Sequence, residues 1–133
     1  MSQTLAQIAG MMGKLPVLIT GSNPRNLELL AQFLCKEGYE TRSATTVEQF
    51  AEMLSTQETF GLALVDISGF DRKIWQCCEQ CAELNIPLFV ISQPSAPRAQ
   101  HESLEHGAQG VLYKPLVMKE LLQLVKTMSL ESE

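Results

Sequence analysis

Three polar side chains, Asp66, Ser92 and Lys114, each stand at the end of a short run of apolar residues. A carboxylate, a hydroxyl and an ammonium group held together could form an ion pair or provide a nucleophile with a charge partner. Short continuous apolar runs are typical of strands that are buried on both faces. The spacing therefore suggests that the ends of parallel strands position these three side chains.

A second group of reactive residues is the sequence Cys77-Cys78-x-x-Cys81. The CxxC spacing occurs in zinc and redox sites. These cysteines, however, fall inside a predicted helix, Cys35 is distant in sequence, and no histidine is close by. We therefore expect small core residues in the reduced state, with either Cys77 or Cys78 facing outward and open to oxidation.

The elements that would carry these side chains alternate regularly along the chain. Strands are predicted at 15–20, 39–43, 60–65, 87–91 and 111–113. Helices are predicted at 24–37, 47–54, 71–84, 98–106 and 117–128. Asn23 should cap the first helix and Gly38 should end it, while Thr46 to Gln49 has capping-box spacing. Five strands alternating with five helices predict an α/β fold, a doubly wound parallel sheet.

Ligands of such sheets bind at the carboxyl ends of the strands. The candidate segments are 20–23, 66–70, 92–93 and 114–115. In the first of them, Gly21-Ser22-Asn23 precedes a helix whose free amides could hold an anion. The segment is neither a Walker loop nor a GxGxxG motif, so a turn followed by a helix cap is the favoured interpretation.

The order of Asp66, Ser92 and Lys114-Pro115, each at a predicted strand end, resembles the receiver domain of bacterial two-component response regulators. Gly38-Tyr39 and the segment 107–113 also match, and the resemblance covers about residues 15–128. It implies a flavodoxin-like sheet with strand order 2-1-3-4-5. It also implies that Asp66 is the phospho-acceptor position, with help from magnesium, that Lys114 contacts the phosphate, and that Ser92 is the switch hydroxyl.

The chain departs from that family where magnesium is held. Gly21 and Ser22 occupy the two positions that are acidic in receivers. Asp66 would then be the only carboxylate, which predicts weak magnesium binding and no cofactor. We expect Asp66 and Lys114 to remain together as an ion pair.

Further departures concern the switch. In receivers a proline usually lies four residues beyond the acceptor, but Phe70 occupies that position here. A glycine usually lies eight residues beyond the acceptor, but this chain has Ile74 there. The aromatic switch position matches Val111, with Tyr113 two residues later. Only the hydroxyl half of the usual hydroxyl–aromatic pair is therefore in place.

These observations predict an atypical receiver that is not an enzyme. It would work by protein–protein contact or dimerisation. It would regulate a linked or separate output protein, using a surface at about residues 98–128. One alternative is a conventional receiver that accepts phosphate on Asp66 with magnesium. A second alternative is a sensor of small anions or nucleotides at residues 21–23.

The composition of the chain limits its expected binding partners and its expected location in the cell. The 133 residues include 10 basic and 15 acidic ones, giving a net charge of −5. An acidic chain without a basic cluster is a poor ligand for nucleic acid or an anionic membrane. The absence of a run of about eighteen apolar residues predicts no membrane span, and no signal peptide is evident, so a cytoplasmic location is expected.

The remaining expectations concern the termini and three aromatic or titratable side chains. Residues 1–14, with apolar residues at helical spacing, are expected to be a flexible extension or a short helix, and 129–133 a tail or the start of a linker. His101 and His106 are expected to face solvent, and Trp75 to lie in the core or in an interface.

Overall fold

The computed structural model describes residues 15–96 and 98–131. The strands are β1 (Val17–Thr20), β2 (Thr41–Ala44), β3 (Leu62–Asp66), β4 (Leu88–Ser92) and β5 (Gly110–Tyr113). The helices are α1 (Pro24–Lys36), α2 (Val47–Leu54), α3 (Ile74–Glu83), α4 (Ala99–Glu105) and α5 (Met118–Glu131). The predicted alternation is confirmed. The predicted extension at residues 1–14 lies outside the described residues, as do 132 and 133 of the predicted tail.

The five strands form one parallel sheet in the order β2-β1-β3-β4-β5. The predicted doubly wound fold and strand order are therefore confirmed. The register pairs Asp66 with Ile91 and Ser92 with Tyr113, so the carboxyl ends of β3, β4 and β5 reach the same edge. This edge is where the polar residues of the sequence pattern meet.

Two hydrophobic layers cover the sheet. Leu62 and Leu64 of β3 pack in the layer that includes residues of α1 and α5. Ala63 and Val65 pack in the opposite layer, which includes residues of α2 and α3. Because side chains alternate along a strand, Asp66 projects on the same side as Leu64.

The helix ends follow the sequence signals closely. Asn23 Oδ1 accepts a hydrogen bond of 3.1 Å from the amide of Asn26, and Gly38 follows α1 with a φ of +94°. Thr46 Oγ1 accepts from the amide of Gln49 at 3.1 Å. Gln49 Oε1 in turn accepts a hydrogen bond from the amide of Thr45. In a regular capping box the donor would be the amide of Thr46, so the reciprocal bond is shifted by one residue.

The predicted outward-facing cysteine is wrong. Cys77, Cys78 and Cys81 are all buried, and only Cys35 of the four cysteines is exposed. Cys77 is covered because α3 packs beside α2, which places its Sγ 3.9 Å from the Val47 carbonyl oxygen. Burial raises the pKa of all three thiols, that of Cys81 to about 12, which keeps them neutral and unreactive.

Two further expectations need correction. His106 does not face solvent freely, because its ring stacks on Trp75, which is buried in the core; His101 is exposed as expected. The last helix continues to Glu131, past the predicted boundary at residue 128.

Among the helices in the described part of the chain, none is long and apolar enough to cross a membrane.

Candidate functional site

Asp66 and Lys114 meet at the carboxyl edge of the sheet. Lys114 Nζ lies 2.7 Å from Asp66 Oδ2, and the two side chains are 25% and 19% exposed. Asp66 ends β3 and Lys114 directly follows β5, with β4 between them, so their backbones are about 10 Å apart. The long lysine stem spans this gap, and the expected ion pair is confirmed.

The second oxygen of Asp66 is also engaged. Asp66 Oδ1 accepts a 3.0 Å hydrogen bond from the amide of Ser68, two residues further along the chain. Lys114 Nζ is 3.5 Å from Ser68 Oγ, at the limit of a hydrogen bond. Both carboxylate oxygens therefore have partners in the chain, and the carboxylate is held in one orientation.

The loop after β1 approaches the same place without bringing a carboxylate. Gly21 has no side chain, and Ser22 Oγ donates a 2.9 Å hydrogen bond to the Ser68 carbonyl oxygen. A Cβ built on Gly21 would lie 3.4 Å from Asp66 Cβ, an ordinary contact distance. Within the described residues, no cluster of three or more metal-ligating side chains occurs.

Asn23, the remaining polar residue of this loop, caps the N-terminus of α1. Its side chain accepts from the Asn26 amide, as described above, and Pro24 occupies the first position of α1. The first turn of α1 therefore has one amide fewer to offer an anion. This geometry agrees with the interpretation of the segment as a turn followed by a cap.

Ser92 is buried beside the site, but its hydroxyl does not bond to the ion pair. Its Oγ donates to the Gln93 carbonyl oxygen at 3.3 Å, and the residue is 1% exposed. Val111 is partly buried against the α2–α3 layer. Tyr113 is 42% exposed at the edge of the sheet. The predicted site residues thus divide into a bonded pair, Asp66 with Lys114, and a hydroxyl directed elsewhere.

Ser68 is the residue that the sequence pattern did not single out. Its amide, its carbonyl oxygen and its hydroxyl contact Asp66, Ser22 and Lys114 respectively. A local signal was present, because aspartate side chains commonly accept from the amide two residues later. Ser68 therefore joins the three loops that build the site.

A groove of about 570 Å³ opens beside the ion pair, within the size range of small-molecule pockets. It lies between α1 and the loop that follows β5. Asp66 and Lys114 line its polar end. The apolar lining includes Leu27, Leu29, Leu30, Ile91, Leu116 and Met118.

Comparisons with known proteins point to one family. The family model described as the response regulator receiver domain matches residues 17–126. The two-component response regulator ARR11 of Arabidopsis thaliana is 26% identical over 109 residues, which are 80% of this chain and 21% of that protein. The chain thus spans about a fifth of the length of this curated relative.

Solved structures show the same fold. A CheY-like response regulator receiver domain protein from Methanospirillum hungatei JF-1 has a TM-score of 0.78 and 26% identity, covering 89% of this chain and 95% of its own. The receiver domain of the Francisella response regulator 1452 has a TM-score of 0.74 and 17% identity, covering 90% and 99%. The second likeness is one of fold alone.

Proposed function

Because the chain belongs to the family of response regulator receiver domains of two-component signalling, we propose that it is an atypical member that signals without magnesium-dependent phosphorylation. The observation that carries this proposal is the set of groups around Asp66: Gly21 has no side chain, and the Ser22 hydroxyl donates to the Ser68 carbonyl oxygen. The two oxygens of Asp66 are themselves bonded to Lys114 and to the Ser68 amide. The domain catalyses no reaction and requires no cofactor in this proposal.

The donor set at the sheet edge fits a magnesium ion poorly. Magnesium requires near-octahedral oxygen coordination and is usually held through one or two carboxylates. Here Gly21 offers no ligand, and the Ser22 hydroxyl is already bonded to the Ser68 carbonyl oxygen. Phosphoryl transfer depends on metal ions to neutralise the phosphoryl oxygens. Asp66 would therefore lack the partner that makes it an efficient acceptor.

The surface at residues 98–128 supports signalling by protein contact. Four large apolar side chains in this segment are more than a third exposed: Leu104, Tyr113, Val117 and Met118. The segment has four basic and three acidic residues, whereas the rest of the chain has six and twelve. A nearly neutral apolar face in an acidic protein meets little repulsion from a second copy. We therefore propose a homodimer through this face.

The proposed setting is the bacterial cytoplasm. The dimer would regulate a linked or separate output protein, and its contacts would be with protein rather than with nucleic acid. The net charge of −5 supports the choice of protein, because binding to a phosphate backbone depends on clustered lysine and arginine.

Intact-mass measurement after incubation with acetyl phosphate and magnesium tests the phosphorylation part of this proposal. We expect no added phosphoryl mass on this chain, while a conventional receiver with both acidic residues, treated in parallel, becomes modified. A phosphoryl adduct that disappears in Asp66→Asn would overturn the proposal and favour the conventional alternative. The placement of Asp66 beside Lys114 is the observation that keeps this alternative worth testing.

A further inference from the structure

Trp75, Glu79 and His106 meet where the core of the domain borders the solvent. The ring centroids of Trp75 and His106 are 5.0 Å apart, with an interplanar angle of 14°. The Glu79 carboxylate contacts Nδ1 of the same imidazole. Trp75 is 9% exposed and the His106 side chain 25%, so the two stacked rings are largely shielded from water, whereas the Glu79 side chain is 52% exposed. No part of the Asp66 site takes part in these contacts.

The cluster joins the end of α4 to α3. His106 directly follows α4, and its amide donates to the Glu102 carbonyl oxygen at 3.1 Å. Gly107 has a φ of +100°, and a Cβ built on it would lie 2.8 Å from Ala82 Cβ of α3. The turn after α4 therefore packs directly on α3, and the stack lies at this junction.

Protonation of His106 would strengthen each of its contacts. An imidazolium bonds to a carboxylate more strongly than a neutral ring does. A cation within about 6 Å of an indole centroid gains a cation–π attraction. A positive charge at the end of a helix is favoured by the helix dipole. Histidine is also the side chain that changes charge in the physiological pH range.

Among the described residues, no other charged group of the two helices forms an ion pair with His106: Glu83 of α3 is exposed to solvent, and the charged residues of α4 have other partners. Arg72 lies 3.9 Å from Glu102, and His101 lies 3.7 Å from Glu105. The turn into β5 contributes the uncharged Ala108 and Gln109. Glu79 is thus the carboxylate that responds directly to the charge of His106.

We propose that Trp75, Glu79 and His106 form a proton-dependent latch that fastens α4 to α3. Protonated His106 holds the end of α4 against α3, and loss of the proton loosens α4. The latch does not depend on whether Asp66 is phosphorylated or whether the chain dimerises. Because α4 is the first element of the proposed contact surface at residues 98–128, the latch would make the shape of that surface sensitive to pH.

Hydrogen exchange of the full chain tests the latch. The informative amides are those of His106, Gly107 and Ala108, which donate to carbonyl oxygens of α4. After correction for the intrinsic pH dependence of exchange, we expect them to be about tenfold more protected at about pH 5 than at about pH 8. The chain has one tryptophan, so fluorescence of Trp75 reports the protonation of its stacked partner in the same samples.

Three variants identify the residue responsible. His106→Gln should abolish both the protection change and the fluorescence change, and Glu79→Gln should reduce the protection change. His101→Gln is the matched control, since His101 is the only other histidine and its exposed ring pairs with Glu105; it should behave as the unmodified chain. Circular dichroism establishes that each variant is folded. Equal protection at the two pH values in the unmodified chain, or a pH response that persists in His106→Gln, would overturn the proposal. If His106→Gln does not fold, Glu79→Gln replaces it as the decisive variant, and an undiminished protection change in Glu79→Gln would overturn the proposal.

Discussion

The Ser22 hydroxyl donates a hydrogen bond of 2.9 Å to the main-chain carbonyl oxygen of Ser68 and so ties the loop after β1 to the loop after β3. Gly69 makes room for this bond, since a Cβ there would lie 2.4 Å from Ser22 Oγ. A carbonyl oxygen beside a carboxylate is an attractive ligand for a hard cation. In this structure the Ser22 hydroxyl already donates to that oxygen.

Introducing carboxylates at positions 21 and 22 should therefore create a metal site. In the double variant Gly21→Asp, Ser22→Asp, we expect magnesium to raise the melting temperature, because three carboxylates then repel one another unless a cation joins them. Gly21 tolerates a side chain, since its Cβ would be in ordinary contact with Asp66 and Leu27. Thermal unfolding with and without magnesium measures the effect.

The same double variant should become phosphorylated by acetyl phosphate when magnesium is present. The matched control adds Asp66→Asn to the double variant and should stay unmodified in intact-mass spectra. A double variant that binds magnesium yet remains unmodified would show that features other than the acidic pair, such as the direction of the Ser92 hydroxyl, limit the chemistry.

The ion pair between Asp66 and Lys114 should show strong energetic coupling. Asp66→Asn keeps an oxygen for the Ser68 amide but leaves the Lys114 ammonium without a countercharge, which should cost about 1–3 kcal/mol of unfolding free energy. Lys114→Met leaves Asp66 unpaired at a similar cost. The double variant should be more stable than the sum of the two losses predicts, because no charge is then stranded. Urea unfolding of the four proteins measures the coupling, and additive losses would contradict it.

The fold was readable from local signals. Apolar runs marked the strands, and Asn23 and Gly38 marked the ends of α1, because each of these signals acts within a few residues. The edge of the sheet at which Asp66 and Lys114 meet then followed from the rule for parallel strands. The ion pair was therefore predictable before any coordinates.

Contacts between elements were not readable in this way. The burial of Cys77 depends on α2 packing beside α3, and the stack of His106 on Trp75 depends on where the turn after α4 meets α3. The direction of the Ser92 hydroxyl depends on the course of the next loop. Periodicity specifies which face of an element is apolar but not which neighbour covers its flank.

Stability should fall at alkaline pH because of the buried thiols. Burial raises the pKa of Cys81 from 9.0 to about 12, so the unfolded chain loses this proton first as the pH rises. Stability is then fully present below about pH 9 and declines as the pH approaches 12, at up to about 1.4 kcal/mol per pH unit for each such thiol. Urea unfolding as a function of pH measures the slope. Cys81→Ala should show a shallower decline, whereas Cys35→Ala, at an exposed position, should leave the slope unchanged.

The turn after α4 should be intolerant of any side chain at position 107. Gly107→Ala combines a backbone φ of +100° with a contact of 2.8 Å to Ala82 Cβ, and should cost more than about 1 kcal/mol. Gly38→Ala is the matched control, since Gly38 has a φ of +94° at an exposed position. It should lose only the part due to backbone strain. Equal losses in the two variants, measured by urea unfolding, would mean that the approach of the turn to α3 carries no strain.

The proposed dimer should depend on Val117. Its side chain is among the most exposed of the large apolar residues in the described part of the chain, at 54%, and it directly precedes α5 within the nearly neutral segment. Val117→Glu should convert a dimer to a monomer in sedimentation equilibrium, because burying an unpaired carboxylate in an apolar interface is strongly unfavourable. The substitution should leave unfolding of the monomer nearly unchanged, since surface changes usually alter stability by less than about 0.5 kcal/mol. Leu29→Glu, at a residue of α1 that is 47% exposed, is the matched control and should remain dimeric. A chain that sediments as a monomer before any substitution would rule out the second copy as partner of this face.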